Sequence, residues 1–385
     1  MNYLRIKYLV VLAGVAGIGA CAQAKVVGQN TPAPSLMRER VMAIVPKAQQ
    51  AVWLAYLERS AKQQTADRAA FAAELKASGM TEPLMPKEGY SAHSIRLDED
   101  ASWYGGADAL KIADTIVSFQ IPNGGWSKNL DMRQPARVAG ENYTANNLSR
   151  FPDPTDYDTP RDPHWNYAGT LDNDATNTEL RFLRKVIAAL PVERSARYRE
   201  AYLRGIEYLL HAQFPNGGWP QVWPLEGGYH DAITYNDNAV TEAMQSLEPV
   251  AEGEIAFAPQ AMRAEAKAAL AHGLQCVLVT QLVVAGKKTV WAQQYDALTL
   301  APVSARNYEM PSLGSGESAA VLEFLIELPK PSAAVVAAVD AGVAWFKATA
   351  IYGYSWGGTR VEGRHLAKAD GAGPIWARYY SLTGD

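Results

Sequence analysis

The chain has 385 residues, of which 48% are hydrophobic and 20% are charged, and its formal net charge is −4. This composition supports one large buried core, and the length allows one to three domains. A mildly acidic chain without a run of basic residues is a poor match for DNA or RNA, so we expect no nucleic-acid partner.

Residues 1–24 have the pattern of an export signal. Arg5 and Lys7 give a positive start, and an apolar run that ends in small residues follows. The run is short for a membrane span and nothing later replaces it, so we expect a secreted or periplasmic protein without an integral membrane segment. Removal of this segment takes away two basic residues and no acid, which changes the net charge from −4 to −6. The Ile-Gly-Ala-Cys sequence ending at Cys21 also resembles a lipoprotein cleavage site, so a lipid anchor is an alternative.

The spacing of the apolar residues predicts a mostly helical protein. They recur every three or four residues, as on the buried face of a helix, and Pro and Gly fall between these segments. The best strand-like stretch, Val279 to Ala285, continues a helical pattern and is predicted as helix. The predicted helices cover residues 39–62, 66–78, 105–119, 177–190, 198–212, 239–250, 259–283, 317–328 and 333–348.

A sequence repeat indicates how these helices are arranged. Phe119–Trp126 recurs 93 residues later as Ala212–Trp219, and both copies contain Pro-Asn-Gly-Gly-Trp. Tyr354–Gly358 reads as a degenerate third copy. Helices that are separated by the same turn predict a ring in which each repeat packs on its neighbours. We expect residues 25–90 to form an N-terminal helical extension and residues 91–385 to form the main domain.

A long polar segment, Pro135 to Gly169, follows the first copy of the repeat. It is rich in Asn, Asp, Pro and Arg and has little apolar periodicity. A loop of this length in a compact protein is usually a functional surface or a disordered insert. We expect it to rim a cleft.

The densest polar cluster contains Asp172, Asn173 and Asp174 and directly precedes a predicted helix. Thr176 and Glu179 predict a capping box, which explains those two residues without any function. The three residues before them stay unexplained, since adjacent oxygen-rich side chains repel one another unless a cation or a substrate engages them. Such oxygen ligands suit Ca²⁺, although the spacing matches no calcium-binding loop.

A second cluster, residues 229–238, also precedes a predicted helix and contains Asp237 next to Asn238. In the simplest interpretation Asp237 caps that helix. In a ring of helices, two such helix starts can instead converge at one end, which would bring Asp237 close to Asp172. The sequence leaves the helix cap and the metal ligand as alternatives.

A third cluster, residues 287–318, mixes aromatic, amide and charged side chains before another predicted helix. Arg306 is either a structural partner of Glu309 or Glu317, or a clamp for the carboxylate of an acidic sugar. Four tryptophans offer flat surfaces for sugar rings, although burial in the core is the common position of a Trp; they are Trp126, Trp219, Trp223 and Trp291.

The sequence also argues against several kinds of site. The six His residues are isolated, with no pair at the spacing of a zinc site. There is no Gly-x-Ser-x-Gly sequence and no phosphate-binding glycine loop, so nucleotide binding is not expected. Cys276 lies in an apolar run, which predicts a buried, unreactive thiol.

Several ordered motifs together resemble the pectate lyases of polysaccharide lyase family ten. They are Gln-x-Pro-Asn-Gly-Gly-Trp, Thr-Leu-Asp-Asn-Asp-Ala-Thr-x-x-Glu, Ile-Thr-Tyr-Asn-Asp-Asn-Ala, Lys-Thr-Val-Trp-Ala-Gln-Gln-x-Asp-Ala-Leu-Thr-Leu and Ala-Arg-x-Tyr-Glu-x-Pro-Ser. The resemblance covers residues 91–385. It implies an all-α fold, an (α/α)3 toroid, with polygalacturonate or pectin as substrate and Ca²⁺ as cofactor, and we expect a monomer.

Position by position, the resemblance implies that Asp172 and Asp237 bind Ca²⁺ and that Asp172 and Asn173 contact the substrate. Arg306 and Arg378 resemble the arginines that bind uronate carboxylates. Neutralising the C6 carboxylate acidifies the neighbouring C5 proton. A base then removes that proton and the C4 oxygen leaves, which gives 4,5-unsaturated oligogalacturonides without adding water.

The resemblance places the catalytic base, an arginine, in an Arg-Asp-Gly sequence beyond Asp385. We therefore assign no catalytic base within the chain and expect the catalytic domain to be C-terminally incomplete. Two alternatives follow from the residues: an inverting glycoside hydrolase on a helical barrel, which would use Asp172 and Glu317, and a uronate-binding protein without catalytic activity.

Overall fold

The structure is a computed structural model that describes residues 29–147, 162, 164–306, 308–359 and 361–383. The predicted export signal, with Cys21, and the middle of the predicted polar loop lie outside these residues. The described part of the chain contains ten α-helices: α1 (Arg38–Ile44), α2 (Lys47–Ala77), α3 (Ser91–Ser94), α4 (Ala107–Ser118), α5 (Asn177–Ala189), α6 (Ala196–Ala212), α7 (Ala239–Ala251), α8 (Gln260–Thr280), α9 (Ser315–Glu327) and α10 (Ala333–Thr349).

Short strands form four separate two-stranded antiparallel pairs, and no large sheet is present among the described residues. The pairs are β1 (Ile233–Thr234) with β4 (Gln294–Tyr295), β2 (Val283–Val284) with β3 (Lys287–Lys288), β5 (Leu313–Gly314) with β8 (Tyr379–Tyr380), and β6 (Tyr354–Gly357) with β7 (His365–Lys368). No helix in the part of the chain that the structure describes is long and apolar enough to cross a membrane.

A proline sets the boundary between the first two helices. The sequence predicted helices over 39–62 and 66–78, but α1 ends at Ile44 and α2 continues through residues 63–65 without a break. Pro46 has no backbone N–H and disfavours helical geometry in the residue before it, so the break falls there. The other predicted helices are confirmed as α4 to α10, with ends shifted by a few residues.

The predicted helix over 259–283 is too long at its C-terminal end. Helix α8 stops at Thr280, and Val283–Val284 pairs with Lys287–Lys288 as a hairpin. Ala285 and Gly286 form the turn with φ of 49° and 75°, the left-handed geometry that two-residue hairpins favour. The expectation that Val279 to Ala285 is helical was therefore wrong from Gln281 onward, because the turn outweighs the apolar pattern.

The helices from α4 onward form two rows, and the expected all-α toroid is confirmed. Helices α5, α7 and α9 contact one another in sequence, and each outer helix of the series α4, α6, α8 and α10 contacts the next. The outer and inner helices alternate along the chain, so α4–α5, α6–α7 and α8–α9 are three successive pairs. One large apolar core fills the space between the rows, and it includes the buried thiol of Cys276.

Each outer helix is followed by a Trp whose indole N–H donates to a carbonyl in the last turn of that helix. Carbonyls in the last turn have no partner within the helix, so this bond satisfies one of them. The bonds are 2.7–2.9 Å long and join Trp126 to Ile116, Trp219 to Leu209, Trp291 to Val277 and Trp376 to Phe346.

This pattern corrects the predicted third copy of the repeat. The third and fourth units contain Trp291 and Trp376, whereas Trp356 of Tyr354–Gly358 lies in strand β6 with 62% of its surface exposed. The third and fourth units were not recognised in the sequence because their spacing differs. The Trp lies 14 and 30 residues after the residue whose carbonyl it contacts, whereas this spacing is ten residues in the first two units. Trp126, Trp219, Trp223 and Trp291 are all at most 1% exposed, so the expectation that they offer surfaces to sugar rings is wrong.

The Pro-Asn-Gly-Gly turn requires its first glycine. Gly124 and Gly217 have φ of 97° and 95°, and a Cβ atom would lie 2.3 Å and 2.1 Å from the carbonyl oxygens of Arg204 and His272. Each turn is thus packed directly onto the backbone of the following outer helix. The same glycine-to-backbone contact in both units explains why the Pro-Asn-Gly-Gly sequence occurs twice.

The N-terminal residues pack along the toroid. In α2, the Tyr56 hydroxyl donates to the Ala212 carbonyl at 3.0 Å, and Asp67 accepts from the Asn123 side chain at 3.0 Å. Before α1, the backbone N–H of Thr31 donates to the Ser304 hydroxyl at 2.8 Å, and the backbone N–H of Ser304 donates to the Thr31 carbonyl at 2.9 Å. The division into an extension over 25–90 and a domain over 91–385 stays a prediction.

Candidate active site

The first turns of the inner helices meet at one end of the toroid. Short 3-10 turns precede two of them, Asp172–Asp174 before α5 and Asn236–Asn238 before α7, and the two turns are in contact. Asn173 and Asp237 have φ of 53° and 50°, a left-handed conformation that Asn and Asp enter more readily than most residues. The first two polar clusters therefore form one site.

Asp172 lies at the centre of this site and is 6% exposed. Its Oδ2 is paired with the ammonium group of Lys128, and its Oδ1 accepts a hydrogen bond from Nε2 of Gln221 at 2.8 Å. Burial alone would raise the pKa of Asp172, but the charge of Lys128 and a hydrogen bond with Asp237 outweigh it and lower the pKa. Asp172 is therefore a carboxylate.

Asp237 faces Asp172 and does not cap helix α7. Its Oδ2 accepts hydrogen bonds from the backbone N–H of Asn173 at 3.2 Å and from Nδ2 of Asn236 at 2.9 Å. The residue at the N-cap position is Asn238, and no side chain caps the helix there, so the interpretation of Asp237 as a cap is wrong. Burial, followed by the hydrogen bond and the negative charge of Asp172, raises the pKa of Asp237.

Asn236 connects this carboxylate pair to a guanidinium group. Its Oδ1 accepts hydrogen bonds from Nε2 of Gln293 at 2.7 Å and from Nη2 of Arg378 at 3.4 Å. Arg378 Nη2 also lies 3.5 Å from Oε1 of Glu317, and 55% of the Arg378 side chain is exposed. Arg378 thus lies at the edge of the site with its guanidinium open to solvent.

Arg306 pairs with Glu309, as one of the two alternatives predicted. Its Nε and Nη2 donate to the two carboxylate oxygens of Glu309 at 2.9 and 3.1 Å. Glu309 is 2% exposed, and its Oε1 also lies 4.0 Å from Nη2 of Arg378. The Arg306 side chain is 35% exposed, so it does not point into the apolar core. One buried carboxylate therefore connects both arginines.

The predicted capping box does not form. Thr176 has φ of 66° and makes no side-chain cap, because its hydroxyl accepts a hydrogen bond from the backbone N–H of Trp126 at 3.1 Å. Glu179 is fully buried, and neither of its carboxylate oxygens has a hydrogen-bond partner. Burial raises the pKa of Glu179 to about 7.

The described ends of the predicted polar loop lie next to the site. Asn147 donates to Ser127 Oγ at 3.3 Å and to the Asn166 carbonyl at 3.2 Å, and it accepts from Asn129 at 3.0 Å. Asn129 in turn accepts a hydrogen bond from the side chain of Asn173 at 3.0 Å. The loop ends therefore hold the turn that contains Asp172.

Sequence reasoning missed three of four donors that share one position. Each lies two residues after the Trp of a repeat, and each contacts Asp172 or Asn236; they are Lys128, Gln221, Gln293 and Arg378. In extended chain, residues two apart project to the same side. Of the four only Arg378 was predicted, and alignment of all four tryptophans would have revealed the others.

The residues at the centre fit a calcium ion. Two carboxylates face each other among amide oxygens, and Ca²⁺ takes oxygen ligands of both kinds. Burial and the negative charge of Asp172 raise the pKa of Asp237, and a divalent ion beside the pair would favour its carboxylate form. Within the described ranges, no three His, Cys, Asp or Glu side chains form a metal-binding group, so water or a substrate carboxylate would have to complete the ligand set.

Comparison with known proteins identifies the family. The sequence model described as Pec_lyase, Pectic acid lyase, matches residues 120–385. The solved family 10 polysaccharide lyase from Cellvibrio cellulosa is 29% identical with a TM-score of 0.59, over 77% of this chain and 84% of that one. A mutant of a Cellvibrio cellulosa family 10 lyase, in complex with trigalacturonic acid, is 30% identical with a TM-score of 0.59, over 73% and 81%. None of the curated proteins compared matches the chain. The chain belongs to the pectic acid lyase family and is a polysaccharide lyase.

Proposed function

We propose that this protein cleaves polygalacturonate by β-elimination with the help of Ca²⁺ bound by Asp172 and Asp237. The observation that carries the proposal is the meeting of these two carboxylates, from distant parts of the chain, beside Arg306 and Arg378. A site of this composition suits a polymer in which every sugar carries a carboxylate. The complex of the Cellvibrio cellulosa lyase with trigalacturonic acid supports the same substrate class.

The two arginines bind uronate carboxylates, and Asp172 and Asn173 contact the sugar. A guanidinium group donates two parallel hydrogen bonds to a carboxylate, which fixes both its position and its orientation. When bound, Ca²⁺ supplies charge that neutralises the C6 carboxylate and so acidifies the C5 proton. Because Asp172 is buried and Asp237 is half-buried, little water screens their charge and that of their neighbours.

The reaction itself needs no water. The C5–H bond and the C4–O bond break, a double bond forms between C4 and C5, and a base takes the C5 proton. The leaving glycosidic oxygen takes up a proton and becomes the hydroxyl of the new reducing end. The arginine charges stabilise the negative charge that develops on the carboxylate as the proton leaves. The products are a new reducing end and a 4,5-unsaturated oligogalacturonide.

The test is to incubate the protein with polygalacturonate and Ca²⁺ at alkaline pH and to follow ultraviolet absorbance of the unsaturated product. We expect absorbance to rise with Ca²⁺ and to stop with a chelator. New reducing ends without a rise in ultraviolet absorbance, or turnover that continues at the same rate in the presence of the chelator, would indicate a hydrolase instead. Binding of oligogalacturonate without turnover would indicate a non-catalytic protein.

We also propose that the protein acts outside the cytoplasm. Its substrate is a polymer too large to enter a cell, and residues 1–24 have the pattern of an export signal. Cell fractionation followed by mass spectrometry of the mature N-terminus tests this, including lipid attachment at Cys21. Recovery of the full-length chain from the cytoplasm would contradict it.

A further inference from the structure

We infer that Lys128 lowers the affinity of the Asp172–Asp237 pair for calcium and that a bound uronate reverses this effect. Lys128 thereby makes the binding of metal and of sugar acid depend on each other. This inference rests on the function proposed above. It assigns a role in metal affinity and in the cooperativity of metal and uronate binding to a side chain outside the predicted ligand set.

The ammonium of Lys128 is fixed close to the metal ligands. It pairs with Oδ2 of Asp172, only 12% of its side chain is exposed, and it lies 3.5 Å from the centre of the Tyr167 ring. The Tyr167 hydroxyl is itself held by Nε2 of His230 at 2.9 Å. Because the ammonium is enclosed by an aromatic face and a carboxylate, its charge is weakly screened.

An ammonium in this position competes with a divalent cation. Both need the same Asp172 carboxylate, and two positive charges a few ångströms apart repel each other strongly where little water separates them. Asp172 and Asp237 together supply at most two negative charges for three positive ones. A uronate carboxylate adds a negative charge beside the ammonium and offsets the repulsion.

Metal and sugar acid should therefore bind cooperatively. If the uronate raises calcium affinity by some factor, calcium raises uronate affinity by the same factor, since the two effects are linked. Without the positive charge of Lys128, a bound uronate should increase the affinity for calcium by a smaller factor. The cooperativity should then be smaller, while affinity for calcium alone should be greater.

The repeat itself suggests the variant that isolates the charge. Gln221 and Gln293 occupy the position of Lys128 in the second and third repeats, and both act as uncharged hydrogen-bond donors. Lys128→Gln therefore removes the charge with a side chain that this position accepts elsewhere in the same fold. Lys128→Arg keeps the charge. Lys87→Gln is the matched control, since Lys87 pairs with the buried Asp131 at 2.7 Å outside the site.

The experiment is a calorimetric titration of CaCl₂ into each folded variant, with and without trigalacturonate. We expect Lys128→Gln to bind calcium alone about tenfold more tightly than wild type, which follows from the strength of charge interactions at short range. Trigalacturonate should then tighten calcium binding less than it does in wild type. Lys128→Arg and Lys87→Gln should both behave like wild type.

Two results would overturn the inference without affecting the proposed function. In the first, Lys128→Gln and wild type bind calcium with equal affinity; in the second, Lys128→Arg binds calcium as much more tightly as Lys128→Gln does. In both cases calcium and trigalacturonate would still bind together to the wild-type protein. Failure of wild type to bind calcium even with trigalacturonate would overturn the proposed calcium site, and the inference with it.

Discussion

The backbone N–H of Asn173 donates a hydrogen bond of 3.2 Å to the carboxylate of Asp237, 64 residues further along the chain. This bond joins the turns before two inner helices and holds Asp237 against Asp172. The distance between the two carboxylates is thus set by backbone as well as by side chains. A small change in either turn should alter the metal site.

Asp172→Ala should abolish the effect of calcium on trigalacturonate affinity. The substitution removes the one carboxylate that contacts Lys128, Gln221 and Asp237 together, while both arginines remain. We expect calcium to tighten binding to wild type by about tenfold or more, the scale of one charge-assisted contact, and to leave the variant unchanged. Calorimetric titrations with and without CaCl₂ measure this.

The control is Asp100→Ala, which removes an exposed aspartate outside the site. It should retain the full calcium effect. A calcium effect in Asp172→Ala as large as in wild type would show that the metal binds elsewhere.

Glu309→Gln should lower kcat/KM on polygalacturonate by about tenfold. Its carboxylate accepts two hydrogen bonds from Arg306 and lies near Arg378, and an amide would present an N–H to a guanidinium instead. The loss of one charge-assisted pairing is worth about 1–3 kcal/mol. Steady-state kinetics by ultraviolet absorbance measure the change.

The matched control for that variant is Glu74→Gln. Glu74 accepts two hydrogen bonds from Arg137, between α2 and the loop, away from the site. It should cost some stability but leave kcat/KM unchanged. If both variants lose activity equally, Glu309 acts through general stability and not through the arginines.

Gly124→Ala should destabilise the protein by about 2–4 kcal/mol, because left-handed geometry and a steric clash add together. The new Cβ would lie 2.3 Å from the Arg204 carbonyl oxygen at φ of 97°. Gly286→Ala is the control, since its φ of 75° is similar but nothing lies within 4 Å; about 1 kcal/mol is expected. Urea denaturation compares the two, and equal losses would rule out the packing contact.

Glu179→Gln should stabilise the protein at pH 8 and have little effect at pH 4. Burial raises the pKa of Glu179 from its usual 4.5 to about 7, so between these values the folded protein binds more protons than the unfolded chain. Stability is therefore lost as the pH rises through this window, by up to about 3 kcal/mol. Gln cannot ionise and avoids that loss.

Denaturation curves of wild type and Glu179→Gln at several pH values test this. The stability difference between them should grow between pH 4.5 and 7 and then level off. A difference that stays constant with pH would mean that folding does not change the pKa of Glu179.

The helices could be predicted from sequence because their apolar faces repeat at helical spacing and Pro or Gly separates them. Errors arose where a single local feature decided the outcome. Pro46 divided the first helix, and the Ala285–Gly286 turn made a hairpin from an apolar run. Both features can be identified in the sequence, but whether they end a helix depends on the packing of the surrounding residues in the folded protein.

The site was harder to predict because its residues interact across long distances. Asp172, Asp237 and Arg378 were predicted by resemblance, and Glu309 as a partner of Arg306, whereas the contacts of Lys128 become apparent only in the folded structure. Lys128 follows a buried Trp and looks like a surface lysine in the sequence. The tryptophans were mistaken for sugar platforms because sequence cannot distinguish an aromatic ring in a cleft from one in the core.

The Trp-anchored position of the four repeats has a consequence for protein engineering. Each indole is fixed in the framework by its bond to a helix carbonyl, and the side chain two residues later reaches the site. Four equivalent positions therefore set the charge around Asp172 and Asn236. A combinatorial library at Lys128, Gln221, Gln293 and Arg378 would sample new polysaccharide selectivities, and the exposed Arg378 should tolerate more substitutions than the buried Gln221 and Gln293.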